Sequence, residues 1–452
     1  MSLKSKPTPL LPVALGTALV LVTYVTPIVS VPVTASDLGV GVAGRAWILS
    51  SMSVGLAAAL LVSGVIGDTV GRRRVSDAGL VLLALGAVLC AVAWGPGAVI
   101  VGSVVEGVGG AAVLACGLSL LAVHFAPGAA RVHATSVWGA SVGLGIALGS
   151  VAAAAVGGVG SGWRETYAVT AVAALGLLLL SRYLGESRAE HPRRIDVPGL
   201  VLLVAGMTLL VAGLTQVRNG VDVPSVVLLV AAVVALVGFA VVERRVSEPL
   251  VEPELLRHPG FVAAGLGSLT LGVSMIGVAS FVPTMAQVGL GRGVWTASLL
   301  ATTWALVSVA SSLLVRRLPW AVTGPRDIAV VLVLVAVAQA TGLGLTADSG
   351  AWRLGVMMAA AGLGTGVLNA VLGRESVASV PPDRSAMGSG ANNTARYLGA
   401  AVGITLFVTI ATHAGDSLVS GWNVALAVAV VLTLVGAAGI ALVGVRSVPV
   451  AD

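Results

Sequence analysis

Apolar segments of roughly twenty residues alternate along the chain with short polar gaps, and the basic residues fall mostly into every second gap. A helix needs about 20 apolar residues to cross the hydrocarbon core of a bilayer, where backbone amides find no water. Each segment therefore predicts a transmembrane helix. Fourteen spans fit, at roughly 10–33, 46–66, 78–94, 98–123, 134–157, 165–184, 198–216, 223–242, 260–285, 294–315, 327–346, 352–373, 386–411 and 422–445. The run from Leu10 is too long for a cleaved signal and reads as the first span.

With the N-terminus in the cytoplasm, roughly 20 of the 25 Lys and Arg lie inside and about 5 outside. Lys4 and Lys6 precede span one. Arg72, Arg73 and Arg74 follow span two, Arg193 and Arg194 follow span six, and Arg316 and Arg317 follow span ten. The outer gaps hold Arg45, Arg164, Arg218, Arg292 and Arg353. An even number of spans puts both termini in the cytoplasm. The expected setting is the cell membrane, crossed many times.

Two longer polar loops, 185–197 and 243–259, divide the spans six-two-six. This predicts an all-α membrane protein with an N-terminal six-helix bundle (1–190), a two-helix spacer with flanking loops (191–257) and a C-terminal six-helix bundle (258–452). Facing bundles of this kind enclose a cavity near mid-membrane.

Composition narrows the function. Hydrophobic residues make up 57% of the chain and charged residues 10%, far below a soluble domain. The net charge of +6 sits in short loops between spans, which orientation explains without nucleic acid. The only lysines are Lys4 and Lys6, and no GxxxxGK[ST] occurs, so ATP coupling within the chain is not expected. Gly139 to Gly143 spells GxSxG, but inside a span rather than at a strand-to-helix turn. Cys90 and Cys116 lie in apolar spans and read as packed free thiols. No pattern implies a metal or cofactor, and no cluster of catalytic polar groups implies an enzyme. The Ala-, Val- and Gly-rich, lysine-poor usage points to a GC-rich bacterium.

Few polar residues interrupt the spans. Glu106 is the one acid deep in the first bundle. A charge there costs about 2.5–3.5 kcal/mol on insertion scales, and low polarity favours the neutral carboxyl. Two readings stand: Glu106 faces the cavity and couples proton entry to substrate exit, or it makes a structural hydrogen bond to a neighbouring helix. Tyr24 and Trp138 offer rings to an apolar ligand. Gln287, Gln339 and Asn369 either meet substrate or join helices. Arg396, in the first turns of span thirteen, either snorkels to the interface or reaches the cavity. Gly139, Gly143, Gly145 and Gly149 lie at helical spacing on span five, where small residues let backbones approach. Sparse cavity charge favours an uncharged or weakly charged substrate.

After span two the chain reads Gly64-Val65-Ile66-Gly67-Asp68-Thr69-Val70-Gly71-Arg72-Arg73-Arg74. Gly71 supplies positive φ for a tight turn, and Asp68 sits where a carboxylate pairs with arginine or a helix N-terminus. Gly64, Asp68, Gly71, Arg72 and Arg73 resemble the signature loop of the major facilitator superfamily, with Thr69 where the superfamily carries arginine. That resemblance implies a latch between bundles in the outward-facing state. Gly162-Trp163-Arg164-Glu165, Glu243-Arg244-Arg245, Pro283 with Gln287, and Asn393-Thr394-Ala395-Arg396-Tyr397-Leu398-Gly399 are similar to its fourteen-helix drug:proton antiporter branch.

The resemblance implies proton-coupled efflux of a small apolar drug or metabolite by alternating access. Its partners would be a small-molecule substrate, protons and the lipid bilayer. Three positions depart from the branch: Thr23 stands for its span-one aspartate, Ser103 for its span-four arginine and Ser150 for the proline after Gly149. The departures keep two alternatives open: uptake or facilitated diffusion, and a non-transporting membrane sensor or partner subunit.

Overall fold

A computed structural model describes residues 9–157, 162–190, 196–218, 220–246, 248–317 and 322–446. Lys4, Lys6, Arg193, Arg194 and both chain ends lie outside the described residues. Fourteen helices account for nearly all of the described chain, and it contains no strand. They are α1 (Leu10–Asp37), α2 (Val42–Val70), α3 (Arg72–Ala91), α4 (Pro96–His124), α5 (Ala129–Gly157), α6 (Trp163–Ser181), α7 (Val197–Val217), α8 (Val223–Glu243), α9 (Pro259–Gly289), α10 (Val294–Leu314), α11 (Gly324–Ala340), α12 (Trp352–Ala378), α13 (Ser385–His413) and α14 (Leu418–Arg446). Thirteen are long and apolar enough to cross a membrane. The other, α11, has 17 residues.

Local chemistry sets the ends. Proline stands in the first turn of α4, α7, α8, α9 and α11, where its missing N–H costs nothing. Asp222 and Ser225 cap each other's backbone at the start of α8. Gly71, at φ 134°, is the whole connection between α2 and α3. The helix therefore resumes at Arg72, earlier than the predicted 78, and all three arginines are helical. α11 ends earlier than predicted because the chain turns at Thr341, with Gly344 at φ 69°. α9 contains two widened π turns, Leu271–Ile276 and Met285–Gly289, the second just after Pro283.

Within the first six helices, α4 packs on α2 and α3, α5 on α1, and α6 on α3. Within the last six, α10 packs on α12, α11 on α14, and α13 on α9 and α14. α7 and α8 pair with each other, and α7 leans on both α2 and α13. The two groups meet along α2 with α13 and along α5 with α10 and α12.

Candidate functional site

The loop after α2 and the cavity between the two groups form the candidate site. Asp68, in the last turn of α2, is 6% exposed. Its carboxylate accepts the N–H groups of Ala386 (3.1 Å) and Met387 (2.8 Å), at the N-terminus of α13. A helix N-terminus carries partial positive charge, so an aspartate from one half caps a helix of the other. Arg72 Nε donates to Asp68 Oδ1 at 2.8 Å, and Arg72 Nη2 donates to the Pro382 carbonyl at 2.8 Å. The side chain thereby ties Asp68 to the turn Pro382–Arg384 before α13. Gly64 lies against the Ala386 backbone with no room for a Cβ.

Around this pair, Glu186 accepts the backbone N–H groups of Arg73 and Arg74. Arg73 donates to the Leu184 carbonyl and pairs with Asp77 at 3.4 Å. Thr69 bonds its own helix, at the Val65 carbonyl. Ser119 and Ser385 share a hydrogen bond of 2.5 Å, joining α4 to α13. Arg384 and Glu252 pair at 3.0 Å, tying the segment before α9 to the same turn. At this end the two halves are closed on each other.

A cavity of about 240 Å³ lies between them. Its lining runs from Leu21, Tyr24 and Asn369 at mid-span to Ser150, Gln287 and Val294 near the end opposite the loop. Tyr24 and Tyr397 meet edge to face at 5.6 Å across the boundary between halves. Ser53 donates to the Tyr24 hydroxyl, Trp304 to Thr365, and Gln287 to the Pro283 carbonyl. Arg396 is the one charged side chain among the described lining residues.

Of the cavity candidates, Tyr24, Gln287, Asn369 and Arg396 do line it. Trp138 and Gln339 do not. Trp138 is fully buried against Gly373 of α12, where a Cβ would stand 2.9 Å from its ring. Gln339 is fully buried among α11, α14 and α9; it accepts from Thr433 at 2.9 Å and points its amide nitrogen at Met275. Its role is to join helices.

The reading of Glu106 as facing the cavity is also corrected. Gly86 of α3 leaves room for its side chain, which lies beside Cys90, with Cys90 Sγ 4.0 Å from Oε2. Oε1 has no hydrogen-bond partner among the described residues, and Glu106 is absent from the lining.

The span-five glycines divide between two faces. Gly145 and Gly149 lie against α1, at Ala18 and Val22. Gly139 and Gly143 lie against the other half, at Ser312 with Ala370 and at Ala305. One helix thus approaches both neighbours closely. Ser103 lies 3.7 Å from Cys90, and Thr23 and Ser150 bond to their own helices. Tyr397, Thr365 and Trp304 also line the cavity, and nothing in the span pattern singles them out, although Tyr397 adjoins Arg396 in the chain.

Near the end opposite the loop, Trp163 and Arg164 both donate to Asp37, linking α6 to α1. Those two bonds hold the Asp37 carboxyl below the usual carboxylate range.

The sequence pattern described as Major Facilitator Superfamily matches residues 13–404. The chain belongs to the major facilitator superfamily. It is 30% identical over 447 residues to the puromycin resistance protein pur8 of Streptomyces alboniger, covering 90% of this chain and 85% of that protein. It is also 30% identical over 445 residues to the cephamycin export protein CmcT of Amycolatopsis lactamdurans, covering 92% and 90%. The solved proton:xylose symporter XylE superposes with a TM-score of 0.66 at 15% identity, over 98% of this chain and 95% of that one. That last likeness shows the fold. Members of the superfamily carry small molecules across membranes, and this chain is a multi-pass membrane transporter of that kind.

Proposed function

We propose that the protein exports a small, largely apolar compound by alternating access through the central cavity. The observation that carries this reading is the closed loop end: Asp68, Arg72, Ser119 and Ser385 join the halves there, and the cavity extends toward the other end. In this reading residues 1–190 and 258–452 move about the cavity, with 191–257 as spacer. The loop end and both termini are cytoplasmic, as the arginine distribution asks. The state described is then outward-facing, and Asp68 with Arg72 is the latch. The name of CmcT supports export as the direction, and the names of pur8 and CmcT together support antibiotic-like compounds as cargo.

Proton drive is what the family resemblance implies. One observation favours a second reading, movement of substrate without a coupled proton: no carboxylate is among the described lining residues. A susceptibility panel on cells with and without the gene identifies cargo, and resistance is expected in cells that carry it. Unchanged susceptibility across the panel would contradict export. Inverted vesicles then test the coupling. The lining predicts no change in lumenal pH on adding cargo, and Glu106→Gln should keep transport within about twofold, since Glu106 lies off the cavity lining. A lumenal pH change that Glu106→Gln abolishes would restore Glu106 as the proton carrier.

A further inference from the structure

We infer that the cargo is an organic anion, an apolar body bearing one carboxylate or similar acidic group, and that Arg396 binds that group. The inference rests on reading the cavity as the transport site and names the class of compound it takes.

Arg396 is 4% exposed and lines the cavity, yet its Nε and Nη2 atoms, both buried, have no hydrogen-bond partner among the described residues. It makes no salt bridge among the described residues. Those two nitrogens form one edge of the guanidinium, with their N–H bonds nearly parallel. A carboxylate meets that edge with two parallel hydrogen bonds, the strongest pairing an arginine makes. A buried charge with an empty fork is unfavourable unless something supplies the missing anion. The described residues do not supply it: the rest of the lining is apolar or neutral, with Tyr24, Tyr397, Gln287 and Asn369 as its larger polar groups.

A neutral cargo would seal the guanidinium from water without pairing it. A cation would be repelled. An anion satisfies the fork, and its apolar body fits the walls formed by Leu21, Val25, Ile146 and Leu271. This narrows the uncharged or weakly charged substrate that sparse span charge suggests in the sequence to one bearing a single negative charge. The charge also bears on direction. A monoanion leaving a cell whose interior is negative gains roughly 50-fold in attainable gradient per 100 mV, with no proton required.

The test uses full-length protein in lipid nanodiscs near neutral pH, titrated with 2-naphthoate and with 2-naphthamide. The two share a ring system and differ in charge. Naphthoate should bind roughly tenfold or more tighter than naphthamide. Arg396→Gln should bring the two affinities within about twofold, and Arg396→Lys, which keeps charge but not the fork, should retain part of the preference. The acid–amide comparison in the unaltered protein decides the matter even where a variant fails to fold. Equal binding of the two probes, including no binding of either, would overturn the inference, and so would a full preference in folded Arg396→Gln. Export is read separately. Protein that prefers the acid but confers no resistance keeps this inference and removes the export reading, whereas export indifferent to charge does the reverse.

Discussion

Gly145 of α5 faces α1 so closely that a Cβ would overlap the Ala18 carbonyl oxygen and stand 2.7 Å from Leu21 Cβ. Gly176 of α6 has open space where its Cβ would go. Gly145→Val should destabilise the protein by about 1–3 kcal/mol, because two backbones would have to part. Gly176→Ala should be neutral or slightly stabilising, since alanine is the better helix former. Thermal unfolding of the two variants in detergent checks this, and equal midpoints would contradict the packing.

At the same scale, some side-chain placements were legible and others were not. Arg396 lies eleven residues into α13, about 16 Å along the axis, too deep for its side chain to reach the nearer interface. The predicted start of span thirteen at 386 gives nearly the same depth, although the sequence alone left the interface and the cavity both open. Trp138 and Gln339 were not legible. Their helices are apolar nearly all round, so sequence alone does not say which face meets the cavity. Glu106 illustrates the same limit: the space that admits it is made by Gly86 on another helix.

Helix by helix, the spans were readable because hydrocarbon selects length and composition, and both are sequence properties. The contacts between spans were not. Asp68 meets Ala386 across 318 positions, and no local pattern announces such a partner. Arg218, read as a lone basic residue in an outer gap, donates at 3.1 Å to both Ser50 of α2 and Thr405 of α13. It fastens the spacer pair to both halves.

The α1–α6 link makes a pH-dependent prediction. Asp37 accepts from Arg164 and Trp163, and its carboxyl is held below the ordinary value. A depressed carboxylate contributes stability that is complete above the unfolded value, near 4, and is lost as pH falls through the lower folded value. Asp37→Asn should therefore lower the melting midpoint at neutral pH, and its gap to the parent should close below about pH 4. A gap independent of pH would show that the ion pair contributes nothing.

Taken whole, the molecule is two groups of helices that share a hollow, closed at one end by Asp68, Arg72 and the Ser119–Ser385 contact. Alternating access requires that end to open in every cycle. The most direct measurement pairs Ser119→Cys with Ser385→Cys, in a background where Cys90 and Cys116 are replaced by alanine. Export of a compound found in the susceptibility panel is then followed before oxidation, after it and after reduction. Cross-linking should abolish export, and reduction should restore it. Undiminished export by fully cross-linked protein would contradict the account.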